Sequence, residues 1–100
     1  MLLSIDPEHK GEFERFEELA VGIMSRYGGR LERRISFPPG EDPSRPDELH
    51  LVVFPDRETF ARYRRDPDLQ ALADLRAAAI RRTVVWEGGD EPVFGEGVCD

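Results

Sequence analysis

Leu2, Leu3 and Ile5 form a short apolar run closed by Asp6-Pro7, which predicts a strand. From about Glu8 the apolar positions move to helical spacing. Phe13, Phe16, Leu19, Ala20, Ile23, Met24 and Tyr27 fall on one stripe, so a long amphipathic helix is expected here. Asp6 is placed to cap it with Pro7 at the first position, and Gly28-Gly29 to end it. Residues 30–37, RLERRISF, alternate: Leu31, Ile35 and Phe37 share a face with Arg33, while Glu32, Arg34 and Ser36 share the other. This is the pattern of a half-buried strand. The next ten residues, PPGEDPSRPD, hold four prolines and a glycine. They predict an exposed, mobile hairpin loop, with a lid or interface arm as the functional alternative.

Residues 48–54, ELHLVVF, are apolar at nearly every position. Leu49, Leu51 and Val53 face one way; His50, Val52 and Phe54 face the other. A strand of this kind needs cover on both faces. Asp56 can cap a helix carrying Phe60 and Tyr63, and Asp66-Pro67 breaks and restarts it. The restarted helix carries Leu69, Leu72, Ala73, Leu75, Ala79 and Ile80, and residues 82–87, RTVVWE, predict the last strand. The order is βαββαβ, the plan of an α+β, ferredoxin-like domain with a four-stranded antiparallel sheet. In that plan the first and third strands are central, in keeping with the uniformly apolar third strand. One domain over residues 1–88 is expected, followed by an acidic tail over 89–100 in which Val93 and Phe94 form a small apolar cluster suited to a neighbouring surface.

The helices of such a domain cover one sheet face only. Because neither face of residues 48–54 is polar, a second copy is expected to cover the other, giving a homodimer. Charge narrows the partners further. The net charge is -7, and the four acidic residues after Gly88 account for more than half of it. An acidic chain gains nothing from phosphate counterion release, so nucleic acid is not expected as a partner. No apolar run approaches the ~20 residues needed to span a bilayer, and MLLSIDPEHK lacks the basic start of a signal peptide. No membrane partner and a cytoplasmic location are expected. Thirteen of the fourteen basic residues are arginine, which fits a G+C-rich coding sequence more simply than a set of anion sites.

Candidate chemistry is sparse. His9 and Glu12 make only a weak metal pair, and no metal or cofactor is expected. Cys99 is terminal, with no basic neighbour to activate it. His50 stands on a central strand, where an imidazole facing the helices would suit acid–base work; a structural histidine held by one hydrogen bond is the competing reading. Arg33 and Arg34 place one guanidinium on each face, either to hold an anion or to pair with a carboxylate such as Glu32 or Glu48. Tyr27, Phe60, Tyr63 and Trp86 are candidates for an aromatic ligand wall, against ordinary core packing.

The segments GGRLERRISF and DELHLVVFPDRETFARYRRDPDLQALADLRAAAIRRTVVWEG carry a resemblance over residues 1–88. The succession of strand, FPD, aromatic helix, DP, leucine helix and V-V strand resembles the dimeric α/β-barrel superfamily, which includes antibiotic biosynthesis monooxygenases and many small proteins without a known activity. The resemblance implies two sheets closed into a barrel and a pocket between each sheet and its own helices. It implies either a cofactor-independent enzyme, oxygenase- or cyclase-like, acting on a small apolar or aromatic molecule, or a non-catalytic ligand-binding or assembly module. Members that react an electron-rich substrate with oxygen use Asn, Trp and Arg. This chain has no Asn, although Trp86 is present. The histidine of the haem-degrading members would stand on the first helix, whose inner stripe here is Phe, Leu, Ile and Met.

Overall fold

The computed structural model describes residues 1–95. Strand β1 (Leu2–Ile5) leads through a 3-10 turn (Pro7–His9) into α1 (Lys10–Ser25); β2 (Arg30–Ser36) and β3 (Glu48–Val53) follow, then α2 (Arg57–Arg64), α3 (Pro67–Gln70), α4 (Ala73–Ala79) and β4 (Ile80–Val84). The four strands form one antiparallel sheet in the order β2-β3-β1-β4, so β1 and β3 are the inner pair. All the helices pack on one face. Leu3, Phe13, Phe16, Ala20, Ala79 and Ile80 make one buried cluster there, and Ile23, Met24, Phe60 and Tyr63 a second. The result is a sheet under one layer of helices, only 17 Å through on its shortest axis.

Local chemistry sets the element ends. Asp6 accepts from the Glu8 N–H and caps the 3-10 turn, with Pro7 first. The Asp56 carboxylate takes the Thr59 N–H at 2.8 Å while the Thr59 hydroxyl lies 3.4 Å from the Asp56 N–H, a reciprocal cap for α2. Asp66 caps α3 in one direction, its carboxylate accepting from the Asp68 and Leu69 N–H groups. Gly28 closes α1 at φ +72, and a β-carbon there would also stand 2.9 Å from Pro55 Cγ. Left-handed backbone costs an L-residue about 1–2 kcal/mol, so Gly28→Ala is expected to destabilise the fold by about that much in urea unfolding. A loss within about 0.5 kcal/mol, the size of a neutral surface change, would contradict this account of the turn.

The helical regions differ from the sequence reading in three ways. The first helix begins as a 3-10 turn and becomes α-helical at Lys10. Leu19, placed on the inner stripe, is 39% exposed, because the narrower band of Phe13, Phe16, Ala20 and Ile23 fills the contact. The restarted helix breaks again at Ala71-Leu72, where a turn separates α3 from α4.

The strands differ in two ways. Ile80 is the first residue of β4, paired with Ile5 across a bulge, and the strand ends at Val84, so Trp86 lies beyond it. In β2, Leu31 pairs with Val52 and Arg33 with Leu51, which leaves Glu32 as an extra residue. This bulge reverses the alternation. Arg34, opposite His50, joins Leu31 on the helix-covered face, while Arg33 and Ile35 join Leu51 and Leu49 on the outer one.

Residues 38–47 have no regular structure and are exposed apart from a half-buried Pro46, but their far end is tied down. The Asp47 N–H donates to the Leu3 carbonyl at 2.7 Å, and the Asp47 carboxylate accepts from the Ile5 N–H at 2.6 Å. Val93 and Phe94 are more than nine-tenths exposed and pack on nothing in the chain. Cys99 lies outside the described residues.

Candidate functional site

Between the inner sheet face and the helices lies a cavity of about 400 Å³. Its walls are mostly apolar: Phe16, Ala20 and Met24 of α1, Leu31 of β2, Val52 of β3 and Ile80 of β4. Polar side chains also line it: Glu17, His50, Tyr63, Arg64, Gln70, Arg76 and Thr83. An apolar concavity with a small number of placed polar groups is the usual form of a small-molecule site.

Strand geometry explains the centre of the cluster. Glu48 and His50 are two residues apart on β3, so both side chains point to the helix side. His50 is only 2% exposed, and its Nε2 lies 2.8 Å from Glu48 Oε1. The bulge at Glu32 brings Arg34 onto the same face. Its guanidinium grips Glu48 in a fork, Nε to Oε1 at 2.6 Å and Nη2 to Oε2 at 2.9 Å, and Nη2 also donates to Glu14 of α1 at 2.9 Å. Phe13 packs beneath both groups, its ring centre 6.2 Å from the imidazole and 5.6 Å from the guanidinium carbon.

The fork fixes protonation. Burial pushes the Glu48 carboxyl up, but hydrogen bonds from Arg34 and His50 outweigh this and hold it below its ordinary range. The hydrogen bonds to Glu48 and then Glu14 raise the Arg34 guanidinium further, so it stays charged. An ionised Glu48 can only accept. In neutral His50, therefore, Nε2 carries the proton and Nδ1 keeps its lone pair. Nδ1 lies 3.7 Å from Glu17 Oε2, on the side of α1.

Glu17 and Tyr63 complete the polar part of the cavity. Burial raises the Glu17 carboxyl; the nearby imidazole pulls it down and the Glu48 charge pushes it up again. Burial also pushes the Tyr63 hydroxyl up to about 12, helped by the Glu17 charge. Among the described residues neither side chain makes a hydrogen bond. Glu17 keeps a side-chain exposure of 19%, and both groups border the cavity, which leaves room for a partner there.

The sequence candidates separate cleanly. His50 and Tyr63 line the cavity, while Arg34 stands behind His50 and holds its carboxylate partner. Arg33 is exposed on the outer face. Phe60 is core, packed against Phe54 and Tyr63. Tyr27 turns away and donates to Asp66 at 2.5 Å, steadying the α3 cap. Trp86 is 79% exposed and borders a small hollow on the outer side with Leu2, Ser4 and Arg82.

Two residues not singled out from sequence line the cavity, Glu17 and Arg76, whereas Glu48, expected as a possible partner for the strand arginines, does pair with Arg34. Among the described residues, no group of three or more His, Cys, Asp and Glu side chains is placed to hold a metal ion. No helix among them is long and apolar enough to cross a membrane.

No curated protein and no solved structure matches the chain. A family model matches residues 1–89, and the chain belongs to that family, described as Domain of unknown function (DUF1330).

Proposed function

We propose that the protein is a small-molecule enzyme that works without metal or organic cofactor and moves a proton at carbon within the cavity between sheet and helices. The observation that carries this reading is His50: buried in the cavity wall, its Nε2 held at 2.8 Å by Glu48 and its Nδ1 free beside Glu17. An imidazole whose far nitrogen is pinned by a carboxylate is oriented as a general base. Nδ1 takes a proton from a carbon next to a carbonyl, and Glu17, raised by burial, returns one. Isomerisation and cyclisation need this step, and so does oxygenation of an electron-rich substrate, the chemistry suggested by the sequence resemblance.

The test needs no knowledge of the product. The protein is incubated in D2O with a panel of small aryl and alkyl ketones and keto acids, and deuterium entry at the α-carbon is followed by NMR. Catalysed exchange on at least one compound that occupies the cavity is expected. Occupancy without exchange on any of them would overturn the enzyme reading and leave a binding module.

The sheet order, with β1 and β3 inside and helices on one face, supports the ferredoxin-like reading, and the outer face supports a symmetric dimer. Leu2, Ile35, Leu49, Leu51, Val53 and Val84 lie on that face, with Leu51 46% exposed. Soluble monomers rarely leave such a contiguous apolar face in water, and a second copy of the same sheet is its natural cover. The chain is expected to sediment at twice its 11.4 kDa. Leu51→Arg, at a position open enough to spare the monomer's fold, is expected to weaken association by 2 kcal/mol or more, about 30-fold. Wild-type protein sedimenting at 11.4 kDa at micromolar concentration would contradict the dimer.

A further inference from the structure

The ligand class can be narrowed from the far wall of the same cavity, an inference that rests on the cavity site proposed above. Arg76 of α4 lines the cavity, and its Nη2 donates to Thr83 Oγ1 of β4 at 2.6 Å. Both residues belong to the wall, so the guanidinium is fastened at the mouth. Arg76 forms no ion pair among the described residues; Glu17 is within its electrostatic reach but not paired with it. Its other N–H groups make no side-chain hydrogen bond there. The Tyr63 hydroxyl, likewise without a partner, lines the same space. An unpaired guanidinium fork next to a free phenol, over walls of Phe16, Ala20 and Met24, is matched by a molecule with one anionic end and an apolar body.

We infer that the cavity takes a small, mainly apolar monocarboxylate, its carboxylate held by Arg76 and the Tyr63 hydroxyl and its body lying against the α1 wall towards His50. A cavity of about 400 Å³ holds about a dozen non-hydrogen atoms at the ~30 Å³ that a water-sized group occupies in a liquid. Glu17 is compatible with this charge. Burial drives it towards its neutral form, and His50 and Arg76 are close enough to offset the charge that remains. The enzyme reading and the carboxylate reading together describe a substrate with the anion at one end and the proton-yielding carbon beside His50.

The test uses two probes of one shape, 3-phenylpropanoate and 3-phenylpropanamide, titrated calorimetrically into the full chain, into Arg76→Gln and into Ala77→Phe. Arg76 and Ala77 are exposed on α4, so both variants are expected to fold, which circular dichroism checks. Ala77→Phe fills the cavity from its rim. The wild-type chain is expected to bind the acid at least about tenfold tighter than the amide, as one charge-assisted hydrogen-bond pair supplies. Arg76→Gln is expected to erase that preference, and Ala77→Phe to abolish binding of both. Equal binding of acid and amide, no binding of either, or acid binding that survives Ala77→Phe would each overturn the inference. Equal binding leaves the proton-transfer reading standing, whereas a keto acid that occupies the cavity without α-carbon exchange sinks that reading and leaves the ligand assignment.

Discussion

Truncation of Phe13 to alanine is expected to cost the fold about 3–5 kcal/mol, the usual loss for a buried aromatic ring. Phe13 is the largest side chain in the structure that is fully enclosed. It joins α1 to the sheet through Leu3 and the α4 residue Ala79 within one buried cluster. It also carries the imidazole of His50 and the guanidinium of Arg34 on its faces. A void in that position removes packing from the core and support from the Glu48–Arg34 fork together. A domain of this size holds about 5–15 kcal/mol in all, so the variant is expected to be partly unfolded at ambient temperature or to melt far below the parent. Urea unfolding followed by circular dichroism measures the difference. A loss under about 1 kcal/mol would mean that α1 does not seat against β1 and β3 as described.

His50→Gln is expected to lower α-carbon exchange by about 10²–10⁴-fold, the range that a positioned general base supplies, while binding of the ligand changes little. Glutamine keeps a donor for Glu48 and most of the volume, so stability is not expected to account for the loss. Glu48→Gln is expected to give a smaller loss. A neutral amide no longer dictates which imidazole nitrogen holds the proton, and Arg34 keeps Glu14 but has one amide oxygen in place of the carboxylate fork. The kinetic split separates the roles: a base lowers kcat, and a residue that merely fills the cavity wall raises KM. Exchange by His50→Gln within threefold of wild type would remove His50 from the chemistry.

Much of the architecture could be read from the pattern of residues. The nearly unbroken apolar run from Leu49 to Val53 announced an inner strand, and the alternating β2 announced an edge. Asp56 and Asp66-Pro67 marked helix starts because their carboxylates satisfy free N–H groups, a local requirement that leaves a local signature. The bulge at Glu32 had no such signature. It is set by how β2 settles on β3, and it moves Leu31 to the face of Arg34, so strict alternation grouped Leu31 wrongly with Arg33 and Ile35. The start of β4 was hidden for a related reason. Ile80 fits the helical spacing of Leu72 and Ala73, but pairing with Ile5 claims it for the sheet.

The site was half legible. His50 stood out as the one polar break on the inner strand. Glu17 and Arg76 left a fainter mark: each interrupts an apolar helix face, Glu17 between Phe13 and Ala20 and Arg76 between Leu72 and Ile80. A charged residue on an otherwise apolar helix stripe marks a polar point in a cavity wall. Trp86 misled because aromatic residues in a last strand suggest a core, whereas one step of alternation past Val85 carries it to the outer side.

The account turns on one nitrogen. The chain has two histidines, His9 and His50, so ¹⁵N-histidine NMR with a His9→Gln variant isolates the signal of His50. In the neutral ring the predicted spectrum has a protonated Nε2, hydrogen-bonded to Glu48, and an unprotonated Nδ1 whose shift moves when a carboxylate fills the cavity. A proton found on Nδ1, or an Nδ1 signal indifferent to a ligand bound in the cavity, would contradict the proposal that His50 is the base of this site.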